Sequence, residues 1–284
     1  MKTTTTTMVA LLALIFASVI SADVWNEGLN GPEAVRYDPE LDVFFVSNFN
    51  EEPAGDANGF VSKVAPDGAV LVARYMVGTE KRPFHGGRGM YIHEPGLWVV
   101  DAGGVHLFDR SSGEQLDFVD FSEFELGFLN DIVLGKDGAL YVTDTGEAKL
   151  YKIVDREAAF VTDVPMNPNG IAVDPESGRL FMVPWSNGDE IIAWDIDDES
   201  FSSVAKLEGG GNYDGIEIVG NTIIVASQMD TSLHFVVDGV DSRIVELPGK
   251  PADMGIDTKR HTVAVPYVAL DRVDIIEFAA PSID

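Results

Sequence analysis

Asn169-Gly-Ile-Ala-Val-Asp174, running on through Pro-Glu-Ser-Gly178 into Arg179-Leu-Phe-Met-Val183, reads as strand, tight turn, strand. Its apolar runs suit extended backbone, and the turn between them holds residues that tolerate tight geometry. Five other segments share the shape of its first six residues. They are Glu33-Ala-Val-Arg-Tyr-Asp38, Arg88-Gly-Met-Tyr-Ile-His93, Asn130-Asp-Ile-Val-Leu-Gly135, Asp214-Gly-Ile-Glu-Ile-Val219 and Ala252-Asp-Met-Gly-Ile-Asp257. Their first positions lie 55, 42, 39, 45 and 38 residues apart in chain order, the period of β-propeller blades. The expected fold is therefore an all-β, six-bladed propeller. If the blades circle one axis, the first positions share one ring that reads Glu33, Arg88, Asn130, Asn169, Asp214, Ala252. Two carboxylates and two carboxamides meeting there form a candidate cation site.

Within each period the strand and turn signals repeat. In blade three, Asp131 to Leu134, Ala139 to Thr143, Leu150 to Val154 and Ala159 to Thr162 are expected strands, with Lys136-Asp-Gly138 and Asp144-Thr-Gly146 as turns. Blade four repeats this with Leu180 to Val183 and Ile191 to Trp194, and blade one with Val43 to Val46, Gly59 to Val64 and Ala69 to Tyr75. Blade six runs short, because only Ala279 to Asp284 follow its strands at Thr262 to Pro266 and Val273 to Phe278. Residues 23 to 30 precede blade one without belonging to it. Ring closure is the economical reading, with that N-terminal segment pairing as the outer strand of the last blade and removing an exposed sheet edge.

The net charge of −28 argues against nucleic acid or an anionic membrane as partners, since both would be repelled. It fits a solvated acidic surface. The chain has no cysteine, which excludes disulfides, thiolate metal sites and a cysteine nucleophile. Lys2 and a run of threonines lead into an apolar stretch, Met8 to Ile20, followed by Ser21-Ala22. We expect residues 1–22 to be a signal peptide, with an uncleaved anchor as the alternative, and residues 23–284 to form one propeller domain. The mature protein is then periplasmic or secreted, without stable membrane association, and monomeric.

Gly31-Pro-Glu33, Leu129-Asn-Asp131, Pro168-Asn-Gly170 and Tyr213-Asp-Gly215 stand in order at blade spacing. Together they resemble the signature points of the regucalcin/gluconolactonase (senescence-marker-protein-like) family. Pro251-Ala-Asp-Met-Gly-Ile-Asp257 and Asp271-Arg-Val-Asp274 resemble elements of its exported bacterial members. The resemblance implies a divalent ion, usually calcium, held by Glu33, Asn130, Asn169 and Asp214. The donor chemistry agrees: calcium takes about six to eight hard oxygens, so four protein groups leave room for water and substrate. The ring's lack of nitrogen and sulfur donors disfavours zinc and copper. Taken singly, each Asn-Gly or Asp-Gly also reads as a turn.

An ion with open positions can polarise a carbonyl or phosphoryl oxygen and activate water. Asp214 is the expected catalytic carboxylate, as base or, in phosphotriesterase-like relatives, as nucleophile. Asn130 and Asn169 would position substrate and metal. Arg88 can bind a carboxylate, a phosphate or a developing oxyanion, or pair internally with Glu33 or another acid of the ring. Residues after the second strand of each blade are expected to set selectivity: Asn48, Phe49, Asp101, Asp144, Trp185, Gln228, Met229 and Tyr267, with Trp185 as a flat pocket wall. His85, before Gly86-Gly-Arg88, is a possible proton carrier or a solvated loop residue. No Gly-x-Ser-x-Gly elbow is present, and Gly209-Gly-Gly211 lacks the lysine of a phosphate loop. Three activities remain open: hydrolysis of small-molecule lactones, hydrolysis of phosphotriesters or aryl esters at the same site, and non-catalytic binding of a ligand or protein.

Overall fold

Successive side chains of a strand point to opposite faces, so a strand covered on both sides reads as an unbroken apolar run. Val43–Asn48, Gly96–Asp101 and Thr222–Ser227 are such runs. In the computed structural model each is the second strand of a four-stranded sheet. The structure describes residues 24–50, 54–244 and 247–277; the expected signal peptide, residues 1–22, lies outside them.

Five sheets consist of consecutive strands. They run from Pro32–Asp38 to Val70–Val77, from Met90–His93 to Gln115–Asp120, and from Leu129–Leu134 to Glu157–Asp163. The fourth and fifth run from Asn167–Val173 to Ser200–Lys206 and from Tyr213–Val219 to Val240–Ile244. The sixth combines Gly255–Asp257, Thr262–Tyr267 and Arg272–Glu277 with Val24–Trp25 at its outer edge. Val24 pairs antiparallel with Asp274 and Trp25 with Val273, so the first strand among the described residues completes the sixth blade. The pairing is shorter than the expected 23–30, because Gly28 (φ 73°) and Gly31 (φ 60°) turn the chain toward blade one.

The core is divided among the joints between blades. Six apolar clusters each draw residues from two neighbouring blades. Phe44 enters the cluster between blades six and one, while Phe45 enters that between blades one and two. Val99 and Val100 divide likewise. Each second strand thus serves two interfaces, and no blade buries its faces alone. Trp25 closes the circle: it is 3% exposed and packs edge-on against Phe44 at 5.1 Å between ring centres. Arg260 ties the same joint from outside, pairing with Asp42 at 2.9 Å and Asp257 at 2.7 Å.

Candidate functional site

Regular pairing would give each inner strand the same alternation as its neighbour, yet four inner strands break register around the ring position, that of blade four also between Asn167 and Pro168. The break lies between Pro32 and Ala34, between Leu129 and Ile132, between Pro168 and Ile171, and between Tyr213 and Ile216. Glu33, Asn130, Asn169 and Asp214 sit inside those irregularities. A bulge re-aims the side chain it carries, so the four residues share a backbone device as well as a sequence position. Backbone bonds tie neighbouring blades at this level: Gly89 N donates to the Asn130 carbonyl and Asp253 N to the Glu33 carbonyl, each at 3.0 Å.

All four side chains are buried, at 3–4% exposure. Glu33 Oε2, Asn169 Oδ1 and Asp214 Oδ1 have no hydrogen-bond partner. Buried polar atoms are ordinarily satisfied, and all three of these are oxygen acceptors, the donor set that suits a hard cation. Asn130 Nδ2 donates to Thr145 Oγ1 at 3.1 Å, which turns its amide oxygen away from Thr145. Asp214 Oδ2 accepts from Gln228 Nε2 at 2.6 Å. Among the described residues no group of three or more His, Asp and Glu side chains is arranged to hold a metal. A cation at this ring therefore depends on the two carboxamides as well as the two acids.

Without a counter-ion this is an unfavourable place for charge. Burial pushes the Asp214 carboxyl up to about 7, with the Gln228 hydrogen bond opposing and Asp131 adding to the rise. Glu33 is raised well above its usual range by burial and by the Asp214 charge, with Arg88 acting against both. A second acidic level lies one residue further along. Asp131 is pushed by burial to about 6 despite nearby Arg36. Asp253, 2% exposed, has neither carboxyl oxygen hydrogen-bonded; burial and the Asp131 charge raise it strongly. Three residues beyond Glu33 and Asp214, Arg36 and Glu217 form an ion pair beside a cavity of about 390 Å³ also lined by Tyr37, Ile218, Val219 and Ile256.

Arg88 is 2% exposed. Its Nη1 donates to the Leu129 carbonyl at 2.7 Å, and its guanidinium lies 3.7 Å from the centre of the Phe128 ring. Burial lowers its pKa, opposed by the charges of Asp101, Glu33 and Asp144. Ala252 closes the ring position of blade six with its N–H on the Pro266 carbonyl.

The selectivity residues divide. Asn48, Asp101 and Asp144 are buried, and their side chains hold loops rather than line an opening. Asn48 accepts from Asn30 N, Asp101 from His85 N and Gly86 N, and Asp144 from Gly127 N and Phe128 N. These are the segments that lead into the inner strands, which need their free N–H groups tied. Tyr267 is also buried, packed between blades five and six. Trp185 is half-buried and its carbonyl accepts from Asn212 Nδ2. Gln228 reaches the ring through Asp214, and Met229 stands 68% exposed beside it. His85 Nδ1 accepts from Ala57 N in an exposed loop. Sequence reading missed Asp131, Asp253, Thr143 and Thr145. The two acids occupy the second position of the aligned segments and were visible there; the threonines carry no signal beyond a strand end.

Neither a family model nor a curated protein matches the sequence. Solved structures do. A gluconolactonase from Xanthomonas campestris superposes with a TM-score of 0.72 at 16% identity, covering 95% of this chain and 94% of that one. The virginiamycin B lyase of Staphylococcus aureus, solved with quinupristin, gives 0.65 at 13%, covering 92% and 99%. A streptogramin B lyase gives 0.64 at 12%, covering 90% and 97%. Likeness at this identity shows the shared propeller fold alone.

Proposed function

We propose that this chain is an exported, calcium-dependent hydrolase of the lactonase type, acting on small lactones or related esters. The observation that supports it most is the trio of buried oxygens without partners, Glu33 Oε2, Asn169 Oδ1 and Asp214 Oδ1, each on a register break of its own inner strand. Glu33, Asn130, Asn169 and Asp214 would hold the ion. When bound, calcium supplies Lewis acidity toward a carbonyl oxygen and lowers the pKa of water.

The chain's own groups supply the rest. Glu33 and Asp214 bring two negative charges, whose burial is costly alone and offset by a divalent cation. Gln228 holds Asp214 Oδ2, so the other oxygen, Oδ1, is the one positioned to take a proton from water or to face the ion. Arg88, pinned by the Leu129 carbonyl and the Phe128 ring, presents a fixed positive charge toward an oxyanion or a substrate carboxylate. Trp185, Gln228 and Met229 would border the small-molecule substrate. The gluconolactonase neighbour lends the lactone class its priority. The apolar Met8 to Ile20 stretch supports export.

Calorimetric titration of chelator-stripped protein with calcium, followed by a lactone panel with and without the ion, tests the proposal. Calcium binding that Asp214→Ala removes, together with calcium-dependent turnover, is expected. Absence of binding, or turnover indifferent to chelator and to Asp214→Ala, would overturn it.

A further inference from the structure

Thr143 and Asp144 end the second strand of blade three, and Thr145 follows them directly. Both threonine hydroxyls reach toward blade four, while Asp144 between them holds Gly127 N and Phe128 N. Thr143 Oγ1 accepts from Asp131 N at 3.1 Å and donates to the Asn169 carbonyl at 2.7 Å. Thr145 Oγ1 accepts from Asn130 Nδ2 at 3.1 Å and donates to the Pro168 carbonyl at 2.7 Å. Two threonines of blade three therefore grip the ring segments of blades three and four together.

The second contact differs in its partner, a carboxamide with two unlike ends where the first meets a backbone N–H. A hydroxyl carries one hydrogen. Thr145 commits that hydrogen to the Pro168 carbonyl, which can only accept. What remains toward Asn130 is a lone pair, and only the NH₂ end of a carboxamide can meet a lone pair. The amide is thereby fixed with nitrogen toward Thr145 and oxygen away from it. A flipped amide would set oxygen against oxygen at Thr145 and turn N–H hydrogens, which cannot ligate a cation, the other way. The position is closed: Asn130 is 4% and Thr145 9% exposed, so water has little access to stand in.

We propose that Thr145 is a positioning residue that selects the amide orientation in which Asn130 offers its oxygen to a divalent cation. This rests on the cation reading of the ring. The backbone of Thr145 is secured independently of its hydroxyl, by Thr145 N on the Phe128 carbonyl at 2.9 Å and by Asn167 Nδ2 on the Thr145 carbonyl at 2.7 Å. Thr145→Val, of equal shape, therefore removes the orienting contact and leaves these ties in place.

The test is calcium calorimetry on the full chain carrying Thr145→Val, Thr145→Ser, Asn130→Asp or Asn130→Asp with Thr145→Val. Thr145→Val should weaken calcium about tenfold, close to one ordinary hydrogen bond. Thr145→Ser, which keeps the hydroxyl, should stay within about twofold of wild type by the same conversion. The Asn130→Asp background is decisive, because a carboxylate has no wrong face to turn. There Thr145→Val should cost less than about twofold, a coupling visible only in the double-mutant cycle. Equal losses in both backgrounds would overturn the orienting role while leaving the cation reading intact. So would wild-type affinity in Thr145→Val. No binding by wild type would overturn the cation reading itself.

Discussion

Replacing Asp214 by Asn should stabilise the chelated protein even as it destroys the site. In the unfolded chain this carboxyl ionises near 3.8, whereas burial holds it up to about 7 in the folded state. Between those values the unfolded state has released its proton and the folded state has not, so stability falls as pH rises through that window and is flat above it. Three pH units at 1.36 kcal/mol each put the ceiling near 4 kcal/mol at pH 8. At pH 4.5 the same linkage leaves only about 1 kcal/mol. An asparagine carries no charge and can still accept from Gln228 Nε2. For a chain of this size each kcal/mol moves the melting temperature by about 2–4 °C, so chelated Asp214→Asn should melt on the order of 10 °C above wild type at pH 8. At pH 4.5 the two should be nearly equal. Adding calcium should then reverse the order by stabilising wild type alone. The assay is thermal unfolding in chelator and in calcium at both pH values. A variant that melts at or below wild type in chelator at pH 8, or a gap that does not shrink at pH 4.5, would refute the reasoning.

Trp25→Ala should cost about 3–5 kcal/mol, the usual range for truncating a buried aromatic. Denaturant unfolding checks it; a cost under 1 kcal/mol would mean the closing strand is dispensable. Gly170→Ala places a methyl 2.4 Å from the Asp214 carbonyl oxygen and 2.9 Å from Ile216 N. It should displace the Asp214 bulge, cost about 1–3 kcal/mol and abolish measurable calcium binding, read by calorimetry and melting together. Gln228→Leu removes the donor that lowers the Asp214 pKa, so protons compete better for the site. Its calcium affinity should fall more at pH 6 than at pH 8; a pH-independent loss would show that Gln228 acts otherwise.

The propeller was legible because each blade restates the same strand and turn grammar, and because a missing last strand pointed to residues 23–30, of which Val24 and Trp25 make the pairing. The shared strand position of Glu33, Asn130, Asn169 and Asp214 was legible for a related reason: they stand at one place of an aligned repeat, and register breaks fall on that place. What surrounds the ring was less readable. An aspartate at a strand end looks the same in sequence whether it faces a pocket or ties a loop, and Asp101 and Asp144 do the latter. Tyr267 faces a neighbouring blade, which strand order alone does not specify. Thr143 and Thr145 act across a blade boundary through single hydrogen bonds, contacts that depend on how two sheets meet rather than on either sheet's own pattern.

The sixth blade takes its outer strand from Val24–Trp25, ahead of blade one in the sequence, and this sets an order in time. Val24 meets Asp274, so this strand has no sheet partner until a segment far along the sequence is in place. Five sheets are built of strands consecutive in sequence; the sixth is not. Closing so long a loop is entropically slow, and contacts of high sequence separation fold late. Until then the joint between blades six and one, with Phe44 on one side and Val273 and Ile275 on the other, stays open to solvent and to other chains. Closing the ring thus rests on the pairing of Val24–Trp25 with Arg272–Glu277, a contact the other five blades cannot supply.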